Sequence, residues 1–158
     1  MVELTQTAAL ATIGIGLSVG IAGFGAALGV GIAGASAAGV TAQDPKKFSK
    51  SLILQQLPQT QGIYGFLVGI FILSGALLSG KEITSPVSLA AIAAGLCMGV
   101  AGLTAIGQGI TCAGGISATA KNEEVFGKSM VFGIMAEFFA ILGFVMAVMI
   151  LLNSGLLG

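Results

Sequence analysis

Hydrophobic residues fill the chain in four long blocks, at roughly 8–40, 51–78, 87–119 and 126–153, and polar residues gather between them. Each block exceeds the about 20 residues that a helix needs to cross a bilayer. None alternates with period two, and each is far longer than a tilted membrane strand. Backbone N–H and C=O groups in lipid have no water to bond, so such a run pairs them internally as a helix. The pattern therefore predicts an all-α membrane protein with four transmembrane helices. The first block has no basic leader and outlasts the 7–15 apolar residues of a signal-peptide core, so it is expected to remain in the mature chain.

The blocks repeat in pairs. Residues 10–26 match 89–105 at an offset of 79, with Leu10/Leu89, Gly16/Gly95, Gly20/Gly99, Gly23/Gly102 and Ala26/Ala105 identical. At an offset of 78, Phe48-Ser-Lys-Ser aligns with Phe126-Gly-Lys-Ser, and Gly65-Phe66 with Gly143-Phe144. This predicts two tandem hairpins of like topology, 1–80 and 81–158, and argues against inverted repeats. The first helix carries Gly16, Gly20, Gly23, Ala27, Gly31 and Gly34 on one face, and the third carries Gly95, Gly99, Gly102 and Gly109. Small faces let helix backbones approach closely in lipid. One chain of 158 residues offers little internal surface for two such stripes. Many copies, packed with helices one and three on a crowded inner wall, would use them.

Composition sharpens this picture. Hydrophobic residues make up 56% of the chain and charged ones 8%, against about 25% charged in a soluble domain. That excludes a water-soluble globule and a disordered chain. Six lysines balance six acids, leaving no basic face for nucleic acid. His is absent, and Cys97 and Cys112 lie in apolar segments, which disfavours a zinc site or a disulfide framework. No phosphate-binding Gly-x-x-x-x-Gly-Lys-Ser/Thr occurs. The loops holding Lys46, Lys47 and Lys50, and Lys121 and Lys128, are expected on the cytoplasmic side of a cell membrane, with both termini outside.

All the charged residues but one stand near block ends; the exception, Glu137, lies near the middle of the fourth. An intramembrane acid costs several kcal/mol, which makes it a candidate functional site before a structural one. Glu137 lies about 13–14 residues past the turn near 123 and Gln108 about 14–15 before it, so at 1.5 Å per residue both sit some 20 Å from that turn. Gln59, Thr60 and Gln61 stand at a similar depth. Leu57, Thr60, Gln61 and Tyr64 share one helix face by their i, i+3, i+4, i+7 spacing. Pro58 among them lacks an N–H and is expected to kink the helix, loosening carbonyls that could face a ligand. Polar glue between helices is a lesser reading for Gln55 and Gln56, and lesser still for Gln108. One carboxylate among amide, hydroxyl and carbonyl oxygens suits a small monovalent cation better than a divalent one. A proton on Glu137 is the competing occupant, and the oxygen donors favour Na+.

The runs Leu57-Pro-Gln-Thr-Gln-Gly-Ile-Tyr-Gly65, Ala105-Ile-Gly-Gln-Gly109 and Met135-Ala-Glu-Phe-Phe-Ala-Ile-Leu-Gly-Phe144 resemble the proteolipid, or K, subunit of bacterial V-type ATPases, most closely its sodium-translocating branch. The resemblance implies a non-catalytic four-helix protomer of a homo-oligomeric rotor ring, turning against a membrane stator subunit that supplies an Arg. It also implies central-stalk subunits and a soluble head that hydrolyses ATP. It implies Na+ ligation by the Leu57 carbonyl, Thr60, Gln61, Gln108 and Glu137, with Tyr64 bonding the carboxylate and Pro58 and Gln59 in support. One position departs: the residue after the acid, often polar in sodium-binding relatives, is Phe138. Gln59 stands where the repeat would put an acid, so one ion site per protomer is expected. A stand-alone channel or transporter, or a purely structural membrane scaffold, would fit the bare residues as well.

Overall fold

The computed structural model describes residues 5–80 and 82–157; Glu3 and Lys81, two of the charges that bound the apolar blocks, lie outside them. Among the described residues the fold is all helical, and four rods are long and apolar enough to cross a membrane: Gln6–Gln43, Pro45–Leu78, Ser85–Lys121 and Glu123–Asn153. The first rod is one helix, α1 (Gln6–Gln43). The second joins α2 (Phe48–Gln56) to α3 (Thr60–Leu73) through a 3₁₀ turn at Leu57–Gln59. It ends in a wide π turn at Ser74–Leu78. The third is α4 (Ser85–Gly102) followed by α5 (Thr104–Lys121), and the fourth is α6 (Phe126–Asn153).

Local chemistry sets the ends. The Thr5 side chain accepts the Ala8 N–H at 3.2 Å and starts α1. Asp44, extended after α1, accepts the Lys46 N–H at 3.1 Å, and Asn122, extended after α5, accepts the Glu124 N–H at 3.0 Å. Positions 44 and 122 are 78 apart, so the two hairpins turn by the same device. The fourth rod closes with Gly155 at φ 76°, where the Leu156 N–H reaches the Leu151 carbonyl at 3.2 Å and the Gly155 N–H the Leu152 carbonyl at 3.1 Å. Leu156 is thereby buried, and its carbonyl meets Gly75, where a Cβ would leave no room.

α1 runs through the centre of the contacts, against α3, α4 and α5, while α6 packs on α4 and α5. The glycine stripes behave differently in the two hairpins. A Cβ at Gly95 would strike the Gly14 backbone, one at Gly102 would strike Ala22, and one at Gly109 would strike Gly29. The stripe of the third rod is therefore consumed inside the chain, which the glycine count alone did not lead us to expect. Gly16, Gly20, Gly23 and Gly31 on α1 have open space where a Cβ would stand. Of the two stripes this one leaves its positions free, except Gly34, where the Gln55 side chain lies.

Two apolar clusters form the core. One gathers Val68, Ile72, Met98, Ala147 and Leu151, and the other Leu54, Ala33, Cys112 and Ile116. Thr60, Gln61, Gln108 and Glu137 fall along their rods between the residues of the two clusters.

A break at Leu103 was not foreseen. Its N–H bonds the Val100 carbonyl, and the Ile106 N–H bonds the Leu103 carbonyl, both at 3.1 Å and both in the i→i+3 pattern of an overwound turn. It falls near the end of the block matched at an offset of 79; between that block and the stretch matched at 78 the second hairpin has one residue fewer. The small positions 95, 99, 102, 105 and 109 contain two successive steps of three, and the tighter turn keeps them on one line.

Candidate ion-binding site

The second rod is broken where it passes the site. Pro58 has no N–H to give the Leu54 carbonyl, and residues 57–59 tighten into the 3₁₀ turn, with the Thr60 N–H returning to the Leu57 carbonyl. Pro58 is fully buried, and it lies where a Cβ on Gly29 would fall. The turn starts α3 with Thr60 and Gln61 side by side.

Thr60 Oγ1 lies 2.9 Å from the Leu57 carbonyl oxygen and 3.2 Å from Gln61 Oε1. One hydroxyl proton serves only one of these oxygens at a time. Gln61 Nε2 donates to Gln108 Oε1, and Gln108 Nε2 donates to the Gly133 carbonyl at 3.0 Å. Gln61 and Gln108 have no exposed surface. Polar groups so deep in an apolar setting are costly unless paired, and here each amide nitrogen is spent on a carbonyl. The Gln61 amide oxygen is thereby turned towards Thr60, while the Gln108 oxygen accepts from Gln61. Hard oxygens outnumber the protons that could separate them, an arrangement a cation would relieve.

Glu137, on α6, is half-buried. The Tyr64 hydroxyl donates to its Oε1 at 2.8 Å. The Tyr64 ring is held in turn against Phe144, with centroids 5.4 Å apart. On its outer side Glu137 borders an apolar hollow of ≈ 650 Å³ lined by Leu57, Ile134, Met135, Phe138 and Ile141. The carboxylate thus has the oxygen cluster within the same chain and an apolar exterior beside it.

The structure brings Leu57, Thr60, Gln61 and Gln108 into one hydrogen-bonded group and joins Glu137 to Tyr64. Gln59 and Gln56 point outwards and Gln55 is half-buried beside Gly34. Phe138 is 55% exposed, on the outer surface beside the acid. Gly133 escaped the sequence reading. Its carbonyl orients Gln108, and a Cβ there would lie 2.9 Å from Leu57 Cδ1 and 3.0 Å from Cys112 Sγ. Its only signal is a small residue one helical turn before an intramembrane acid.

Among the described residues no group of three His, Cys, Asp or Glu could hold a divalent metal. The Lys50–Glu123 ion pair, which ties the two turn regions together, is exposed on both sides and far from Glu137 in sequence and depth.

The profile of the ATP synthase C-subunit family matches residues 13–72 and again 92–150, one match per hairpin. The chain is 50% identical over 144 residues to the A-type ATP synthase subunit K of Methanocaldococcus jannaschii, covering 91% of this chain and 62% of that protein. It is 36% identical over 157 residues to the V-type sodium ATPase subunit K of Enterococcus hirae, covering 98% of this chain and 93% of the other.

Proposed function

Because the chain belongs to the ATP synthase C-subunit family, we propose that it is a rotor-ring proteolipid of a V/A-type rotary ATPase and carries Na+ at Glu137. The observation that carries this reading is the pair of fully buried glutamines, Gln61 and Gln108, bonded amide to amide, with the Gln61 oxygen against the Thr60 hydroxyl, which also reaches the Leu57 carbonyl. Neutral oxygens around a single carboxylate balance one positive charge. The name of the Enterococcus hirae relative supports Na+ as that charge.

In this reading the Leu57 carbonyl, Thr60, Gln61, Gln108 and Glu137 surround the ion while Tyr64 steadies the carboxylate. With its charge balanced, Glu137 can face the apolar exterior. A cation on a neighbouring stator subunit would draw the carboxylate away, release the ion to one side and let another enter after rotation. Moving one charge across 100 mV involves about 2.3 kcal/mol, so a ring of such sites trades small electrical steps against ATP chemistry in a separate head. The chain itself is not the catalyst. The stator, the central stalk and the copies that complete the ring are its expected partners.

The test is the rate at which a hydrophobic carbodiimide modifies Glu137 in membranes. Millimolar Na+ should slow it and equal K+ should not; Glu137→Gln should abolish both labelling and transport while rings still form. Labelling that ignores Na+ and follows only pH would overturn Na+ in favour of a proton. Loss of assembly in Glu137→Gln would return the acid to a structural role.

A further inference from the structure

The second and fourth rods are each tied to the rod before them by a side-chain donor on a glycine carbonyl, and the two ties are counterparts in the repeat. In the first hairpin the Ser18 hydroxyl on α1 donates to the Gly65 carbonyl on α3 at 2.7 Å. In the second the Cys97 thiol on α4 donates to the Gly143 carbonyl on α6, with sulfur and oxygen 3.7 Å apart. Ser18 and Cys97 are 79 residues apart and Gly65 and Gly143 are 78 apart, the offsets that relate the hairpins elsewhere. The packing around the ties repeats as well. A Cβ at Gly65 would strike Ala22 and the Ser18 backbone, and one at Gly143 would strike Ala101, the counterpart of Ala22. Glycine brings each carbonyl near enough for a short side chain to reach across.

The two ties differ in strength. An O–H···O contact of 2.7 Å has the favoured length, and Ser18 has no exposed surface, so no water competes for it. A thiol is a weak donor, and Cys97 is only half-buried. Both ties sit beside the group that holds the carboxylate. Tyr64 immediately precedes Gly65 and Phe144 immediately follows Gly143, and these two rings are in contact. Gly65 also lies one turn of α3 beyond Gln61, so its N–H belongs to the Gln61 carbonyl. A hydrogen bond on the Gly65 carbonyl therefore fixes the turn from which Gln61 and Tyr64 both project. A carbonyl oxygen has two lone pairs; Ser18 takes one and the helix keeps the other.

We propose that Ser18 is a positioning residue of the ion site: it pins α3 with its neutral ligands, while the weaker tie at Cys97 leaves α6 as the side that yields when Glu137 exchanges its ion. This rests on the ion-site reading above. Ser18 gives no atom to the ion and acts through the main chain of α3. The Leu57 carbonyl, Thr60 and Gln61 then keep their arrangement in the empty site. An arriving ion finds them already ordered, which raises its affinity.

The experiment compares Ser18→Ala, Ser18→Cys and Cys97→Ala in membranes carrying the full-length chain, by the Na+ concentration that half-protects Glu137 from a hydrophobic carbodiimide. Native mass on the same samples reports assembly, and labelling without Na+ reports access to the carboxyl. Loss of one buried hydrogen bond should raise the half-protecting concentration about two- to tenfold in Ser18→Ala. Ser18→Cys should fall between that variant and wild type, with assembly and Na+-free labelling unchanged in both. Cys97→Ala should shift the curve by less than about twofold, as loss of a weak donor predicts. A wild-type curve from Ser18→Ala, or an equal shift from Cys97→Ala, would overturn the proposal and leave the ion site standing. A wild-type chain that Na+ does not protect would overturn the ion reading and the proposal with it. Should Ser18→Ala fail to assemble, Ser18→Cys, close to serine in volume, decides alone, and an unshifted curve from it refutes the proposal.

Discussion

At the scale of single residues, Tyr64 decides how Glu137 is held. Its hydroxyl is the hydrogen-bond donor to the carboxylate, and its ring rests on Phe144, which limits where that hydroxyl points. Hydrogen bonds to charged groups contribute about 1.5–3 kcal/mol. Tyr64→Phe should therefore raise the Na+ concentration needed to protect Glu137 from carbodiimide by roughly ten- to a hundredfold, with ring assembly unchanged; an unaltered protection curve would remove Tyr64 from the site. Glu137, Gln61 and Gln108 were legible in the sequence because strong polar groups are rare in an apolar block, and rarity is itself a signal. Gly133 was not legible. It acts through a main-chain carbonyl, which every residue possesses, and only the fold reveals that Gln108 reaches it.

At the scale of elements, the bilayer's thickness and the charges at the block ends made the four rods readable, and Pro58 announced a kink, which takes the form of a 3₁₀ turn beside Thr60. The turn at Leu103 was not readable, because no Pro or Gly pair sits there to mark it. Inserting one Ala after Leu103 would permit an uninterrupted helix but turn α5 by about 100° relative to α4. Gln108 would then face away from Gln61 although every oxygen donor remained in the chain. The expected result is normal helix content by circular dichroism and loss of Na+ protection at Glu137; protection at wild-type Na+ would show that the overwound turn has no part in aiming the amide. Which glycine stripe is consumed internally was likewise hidden. Stripes on α1 and on α4–α5 look alike in one dimension, and only the handedness of packing gives Gly95 a partner and leaves Gly16 bare.

At the scale of the whole molecule, the polar centre lies between two apolar clusters, and Gln61 and Gln108 meet there with no exposed surface. Purified chain in liposomes should therefore hold a Na+ gradient as well as empty vesicles do, read by the decay of trapped ²²Na+; a leak proportional to protein would favour a stand-alone channel. The contrast between two amides sealed from the surface and one half-buried acid also bears on time. Exposed side chains change rotamer in picoseconds to nanoseconds, whereas packed helices shift in microseconds to milliseconds. In the proposed rotary reading, loading and unloading would be the swing of a single lever over a bed that stays still, and the pace would be set by how quickly one chain is carried past its neighbour.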